Sequence, residues 1–210
     1  MKYLVIDFET TGNGVDKSNN YKSYQEDLMP LPRANYPIQL AAALLNEQGD
    51  IVKRDNMIIH GAERLDPFVL ENCPHLSVKV CQEQGIPFVQ VLKRLTDMID
   101  DEPTTIVAHN IKYDWNDVIL ETVKEQNLMD NTFFEQLNRC ERFCTCVNSD
   151  TKAKGTAYYY KKIRRWIGPS LKNLAKQNNV IYDEEKAHDA EYDVDLTAKC
   201  LVKCYPSMFQ

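Results

Sequence analysis

The sequence predicts an α/β fold, a mixed sheet with helices packed on its faces. Three observations carry that reading. An apolar run, Tyr3-Leu4-Val5-Ile6, opens the chain as a strand, and two more strand-like runs follow it across a turn. From residue 88 onward, helical periodicity alternates with short β-rich runs. With 210 residues, 43% of them hydrophobic and 27% charged, the chain is long enough for one domain with a substantial core. No internal repeat or composition break divides it, so a single domain over 1–210 is expected.

Each element has a local reason. Residues 13–37 are polar and hold Gly14, Asn19, Asn20, Pro30, Pro32 and Pro37, which reads as an irregular loop. A loop of that length inside a compact domain is often functional. Ile38 to Leu45 is apolar except for Gln39, and Ile51 to Ile59 is mixed. The turn residues Asn46-Glu47-Gln48-Gly49-Asp50 join the two as a hairpin. Phe88, Val91, Leu92, Leu95, Met98 and Ile99 follow the i, i+3, i+4, i+7 pattern of an amphipathic helix, with Pro87 at its start. Thr104 to Ala108 is β-rich, and the chain is helical again from Asn110 through Val123. Arg142 to Val147 reads as another strand. Ser170 is placed to cap a helix over Leu171 to Asn178, and Ala190 to Cys204 closes the chain as a helix.

The net charge of −6 argues against a generally basic nucleic-acid binder while leaving room for a local basic surface. No run approaches the roughly 18 consecutive apolar residues of a membrane span. No signal-peptide pattern heads the chain, so an intracellular, cytoplasmic protein without a membrane partner is expected. Seven cysteines, an odd count, point to reduced thiols. Cys140, Cys144 and Cys146 cluster, but their spacing does not match paired zinc knuckles.

Three sites carry candidate chemistry. Directly behind the first strand stands Asp7-Phe8-Glu9-Thr10-Thr11-Gly12. Carboxylates at i and i+2 of a strand share one face. The pair either binds a divalent metal or is an exposed acid pair at a strand end. His109-Asn110-Ile111-Lys112-Tyr113-Asp114 runs from a strand into a helix. Asp114 is then either a metal ligand or a first-turn acid that suits the helix dipole. His188-Asp189-Ala190-Glu191-Tyr192-Asp193 sets a histidine before a helix and an aspartate in its first turns, where a cap and a solvated acid are the plain readings.

Taken together, the three resemble the signatures of the DEDDh (DnaQ-like) exonucleases, the family that includes the proofreading epsilon subunit of bacterial replicative polymerase. Asp-x-Glu, His-Asn-x-x-aromatic-Asp and His-x-Ala-x-x-Asp occur in order and complete, spread over most of the chain. Pro37-Ile38-Gln39-Leu40, Gly85, Phe143-Cys144-Thr145, Ser149-Asp150-Thr151 and Leu171-Lys172-Asn173-Leu174 are similar to an epsilon-like subgroup of bacteria and large DNA viruses. Pro74-His75-Leu76-Ser77 departs from the subgroup's His-Gly-Ile-Thr run.

The resemblance implies an RNase H-like domain, a mixed five-stranded sheet with its first three strands antiparallel. It implies a 3′→5′ exonuclease that releases nucleoside 5′-monophosphates with two Mg²⁺ or Mn²⁺ ions, which can clamp attacking and leaving oxygens about 3.5–4 Å apart. Asp7, Glu9 and Asp193 would hold one ion, and Asp7 with Asp114 the other. His188 would be the general base. Thr10, Thr11 and Gly12 match positions that contact the terminal nucleotide.

DNA with a single-stranded 3′ end is the expected substrate, and RNA trimming is the alternative. A polymerase partner would bind in trans. A catalytically silent nucleic-acid-binding or adaptor protein is the reading from another class. Lys152, Lys154, Lys161, Lys162, Arg164 and Arg165 are interleaved with Tyr158, Tyr159, Tyr160 and Trp166. That segment is either a single-strand groove, built of phosphate-binding cations and base-stacking rings, or a solvated loop.

Overall fold

The computed structural model describes residues 1–12, 35–100, 102–148, 155–161 and 165–209. At its centre is a five-stranded sheet in the order β3-β2-β1-β4-β5. The strands are β1 (Lys2–Thr10), β2 (Pro37–Leu45), β3 (Ile51–Ile58), β4 (Thr104–Ala108) and β5 (Glu141–Cys144). β1 pairs β2, and β2 pairs β3, antiparallel; β1 pairs β4, and β4 pairs β5, parallel. The mixed five-stranded sheet, antiparallel over its first three strands, matches the expectation.

Alternation along β1 divides the core in two. Leu4, Ile6 and Phe8 face one side, where Phe88, Val91, Leu92 and Leu95 of α3 (Phe88–Ile99) cover them. Tyr3 and Val5 face the other, against Ala190, Val194, Ala198 and Leu201 of α7 (Ala190–Cys204). β2 is buried along its whole length, which explains its continuous apolar run. Each large side chain fully buried in these layers contributes about 1.5–3 kcal/mol.

Three short helices were not foreseen: α1 (Pro67–Asn72), α2 (Val78–Gln84) and α5 (Thr132–Arg139). Their signals are the caps, since Asp66, Ser77 and Asn131 each accept a hydrogen bond from a first-turn N–H. The helix expected from Asn110 onward is a π-helix over Lys112–Leu120 that continues into α4 (Glu121–Glu125). The apolar spacing of Trp115, Val118, Ile119 and Val123 satisfies either winding, so sequence could not separate them. Ser170 caps α6 (Leu171–Gln177) through a 3.3 Å bond from Asn173 N–H, as its position suggested. The strand expected over Arg142 to Val147 stops at Cys144, whose carbonyl accepts from the Asn148 side chain instead of from a neighbouring strand.

Part of the basic, aromatic segment forms a separate antiparallel hairpin, β6 (Tyr158–Tyr160) with β7 (Arg165–Ile167). Residues 13–34 of the expected long loop lie outside the described residues, as do Ser149, Asp150, Thr151, Lys152 and Lys154. No helix among the described residues is long and apolar enough to cross a membrane. Because β1, β4 and β5 run parallel, their C-terminal ends share one edge of the sheet. In open α/β sheets that edge is where ligands bind.

Candidate active site

Beyond Tyr3 and Val5, the same face of β1 goes on to present Asp7 and Glu9, which brings both carboxylates over the first turns of α7. Asp7 lies opposite Ala41 of β2, a side chain small enough to leave the acids room. α7 contributes Asp193, and Asp189 caps the helix by accepting from Glu191 N–H at 2.9 Å. His188 precedes that cap with φ at 64°, a left-handed conformation in which histidine is among the enriched non-glycine residues. In this bend its backbone N–H donates to the Asp193 carboxylate. Ligand atoms of Glu9, His188 and Asp193 all lie within 4.8 Å of one another. Among the described residues this is the set of three or more side chains able to share a metal, and no cysteine belongs to it.

Asp114 arrives from the other core layer. After β4, Asn110 takes φ 83° and its carbonyl accepts from Tyr113 N–H at 2.7 Å, turning the chain into the π-helix. Asparagine at this position thus has a backbone reason. The pairing of β4 with β1 ends at Val5 and Val107, so β1 runs on alone on that side. There Phe8 N–H donates to the Asp114 carboxylate, which is 3% exposed and also accepts its own N–H.

Burial raises all four acids, and the neighbouring carboxylates raise Asp7 and Glu9 further. Burial, then the charges of Asp114, Glu9 and Asp193, raises Asp7 well above the usual carboxylate range. Glu9 is pushed up to about 8 by burial and then by Asp193, against a thiol hydrogen bond from Cys73. Burial lifts Asp114 to about 7 against its two backbone donors, and Asp193 to about 6 against the His188 N–H. Among the described residues, no cationic side chain figures in any of these shifts. Hard carboxylate oxygens crowded in this way fit a hard divalent cation by donor chemistry.

Several side chains around the cluster carried no sequence signal. Cys73, 1% exposed, donates its thiol to Glu9 Oε2 at 3.6 Å, and burial pushes that thiol up to about 12. Phe68 of α1 sets its ring edge-on to His188, with centroids 5.6 Å apart. Only an Asp-Pro helix start at Asp66-Pro67 announced the element that carries it. His75, within the departing Pro74-His75-Leu76-Ser77 run, shares a 3.0 Å hydrogen bond with Gln39, the cross-strand partner of Glu9.

The remaining expected site residues fall in two places. Thr10, Thr11 and Gly12 follow the acids and are buried. Thr10 Oγ1 bonds Tyr113 Oη at 2.8 Å and the Gly12 carbonyl at 2.9 Å, and the Thr11 carbonyl accepts from Asp66 N–H. Tyr113 is half-buried against the core with only its hydroxyl reaching this rim. Lys161 is exposed on the turn after β6. Lys162 and Arg164 lie outside the described residues, as does the Arg165 side chain.

Solved structures share this architecture. E. coli exonuclease I in complex with a 5cy-dT13 oligonucleotide aligns at a TM-score of 0.62 and 15% identity, covering 99% of this chain and 42% of that one. The zinc-bound form of the E. coli exonuclease I–ssDNA complex gives 0.63 and 17%, with the same coverage. The fold is that of the RNase H-like exonucleases. A 3′-exonuclease solved for 3′-end-specific recognition of a histone mRNA stem-loop gives 0.62 and 16%, covering 98% of this chain and 82% of that one. The present chain spans less than half the length of the exonuclease I chains it matches. No protein-family model and no curated protein sequence matches it.

Proposed function

We propose that the chain is a metal-dependent 3′→5′ exonuclease that removes nucleoside 5′-monophosphates one at a time from single-stranded or frayed 3′ ends of DNA. The observation that carries this reading is the convergence of Asp7, Glu9, Asp114 and Asp193 at one sheet edge, with His188 beside two of them. In this reading residues 1–210 act as one catalytic domain of the epsilon-like DEDDh type, and any polymerase partner binds in trans.

Asp7, Glu9 and Asp193 would hold one divalent ion, and Asp7 with Asp114 the second. Bound there, the ions supply positive charge for the attacking and leaving oxygens. His188 takes the proton of the attacking water as its oxygen bonds to phosphorus. The P–O3′ bond breaks, and the departing 3′ oxygen gains a proton to become the new terminal hydroxyl. Thr10, Thr11 and Gly12 present backbone to the last nucleotide. Lys161, Lys162, Arg164 and Arg165 neutralise phosphates further along the strand.

RNA is the second reading, and the fold shared with the stem-loop-recognising 3′-exonuclease favours keeping it. Matched 5′-labelled DNA and RNA single strands, incubated with Mg²⁺ or Mn²⁺ beside an Asp7→Ala control, test both. A ladder that shortens one nucleotide at a time and vanishes in Asp7→Ala is expected, faster on DNA. Faster shortening of RNA selects the second reading. If neither polymer shortens, or if Asp7→Ala equals the parent, the activity is wrong.

A further inference from the structure

The β6–β7 hairpin presents a surface that the acid cluster does not use. Tyr158, Tyr159, Tyr160 and Trp166 are 58%, 46%, 42% and 40% exposed. Their register pairs Tyr158 with Ile167, Tyr159 with Trp166, and Tyr160 with Arg165. Strand alternation then puts Tyr159 and Trp166 on one face and Tyr158 and Tyr160 on the other. The Tyr159 and Trp166 rings meet at 5.8 Å and 65°.

The base of the hairpin is fastened to the catalytic edge. Gly168 follows β7 with no room for a side chain, since a Cβ there would sit 2.0 Å from the Cys146 carbonyl oxygen. The Cys146 thiol donates to the Pro169 carbonyl at 3.5 Å, and His109 Nε2–H donates to the same oxygen at 3.1 Å. His109 directly follows β4, and Cys146 lies just past β5. The hairpin therefore leaves from the edge where Asp7, Glu9 and Asp114 emerge. At about 4.8 Å per strand, β5 is roughly 10 Å from β1, the reach of a few nucleotides.

Charge selects the occupant. From Thr151 to Tyr182 the sequence holds eight lysines and arginines and no acidic residue, in a chain of net charge −6. Rings with polar tips on two faces, set within the one cation-rich stretch, suit a polyanion with flat apolar faces along it. Unpaired nucleic acid is that partner.

We propose that the hairpin is a base-stacking platform for the unpaired nucleotides upstream of the 3′ end, with Trp166 and Tyr159 as its principal rings. The proposal rests on the exonuclease reading for its substrate. It goes beyond phosphate neutralisation by making affinity depend on unstacked bases and on strand length.

The test is binding in EDTA, where hydrolysis plays no part, together with a separate hydrolysis assay in Mn²⁺. The chain has two tryptophans, and Trp115 is 4% exposed, so Trp166 is the emission a ligand can reach. Titration with an oligothymidylate of about fifteen nucleotides should quench that emission saturably, and Trp166→Phe should abolish the quench. A Tyr159→Ala/Trp166→Ala double variant should weaken Kd by roughly 10- to 100-fold, the scale of one or two lost stacking contacts. Because those rings face each other, Lys161→Glu is measured beside it, with an expected flattening of the salt slope by one phosphate contact or more.

Unchanged Kd in the double variant and an unchanged salt slope in Lys161→Glu, while the parent still shortens the oligonucleotide, overturn the platform and leave the exonuclease standing. No binding and no shortening overturn both. Self-association that the double variant loses, with oligothymidylate affinity intact, makes the hairpin a protein interface and overturns the platform.

Discussion

His188 stands on a left-handed backbone at φ 64°, exposed, with Phe68 against its ring and its own N–H tied to Asp193. The backbone tie means that replacing the side chain leaves the Asp193 hydrogen bond in place. His188→Ala should therefore keep Mn²⁺ affinity within a few-fold of the parent while lowering turnover about 10²–10⁴-fold, the scale of general-base catalysis. Titration calorimetry and single-turnover rates read the two quantities separately. A large loss of metal affinity would instead make the ring a ligand, the alternative its closeness to Glu9 and Asp193 allows. Phe68→Ala removes only an aromatic contact worth about 0.5–1.5 kcal/mol, so a smaller, roughly 2- to 10-fold fall in turnover is expected. The acids and His188 were legible as a set because three short motifs, each ambiguous alone, together resemble one family signature. Cys73 and Phe68 were not, because each meets the site only across the fold.

Among the elements, β4 shows how a motif residue can serve structure. His109 belongs to the His-Asn signature, yet it is half-buried and touches none of the four acids. Burial holds its imidazole down to about 4, so it is neutral near pH 7 with one N–H. Nε2–H donates to the Pro169 carbonyl, which leaves Nδ1 to accept from the Thr145 hydroxyl at 3.0 Å. The ring thus joins the ends of β4 and β5 to the segment that follows the hairpin. His109→Ala should cost about 1–3 kcal/mol by stranding buried polar partners, measured as a shift in the urea midpoint at unchanged slope. A midpoint within experimental error of the parent would remove this role. The long strands and the helices Phe88–Ile99 and Ala190–Cys204 were legible from period. The β6–β7 pairing was not, since three-residue strands carry too little alternation to separate a hairpin from a loop.

For the whole molecule, the acid cluster is a source of pH-dependent instability. Asp7, Glu9, Asp114 and Asp193 bind protons more tightly when folded than when unfolded, where they titrate near 3.8 to 4.5. The contribution of Glu9, Asp114 and Asp193 is complete below about pH 4 and is lost as pH rises through about 6 to 8, and Asp7 acts with the same sign. His109 works with the opposite sign, its contribution being present above 6.5 and lost as pH falls towards 4. Mn²⁺ held by these carboxylates would compete with protons for the same oxygens. It should therefore raise Tm more at pH 8 than at pH 5.5, and Asp7→Asn should shrink that difference in scanning calorimetry. An equal metal effect at both pH values would contradict the shared site.

The strand β1 also gives the molecule two unlike poles. Its acids lie at one end, about 17 to 23 Å along the strand from Lys2 at a rise of roughly 3.3 Å per residue. At the far pole the N-terminal amine pairs with Glu47, Tyr3 Oη donates to the Met208 carbonyl at 2.7 Å, and Phe209 packs on the Tyr3 ring. The first and last described residues therefore meet at the end away from the acids. That pole is held by contacts between β1 and the last turn of the chain, so a substitution there should disturb the anchoring of Tyr3 while leaving the acid cluster at the opposite end in place.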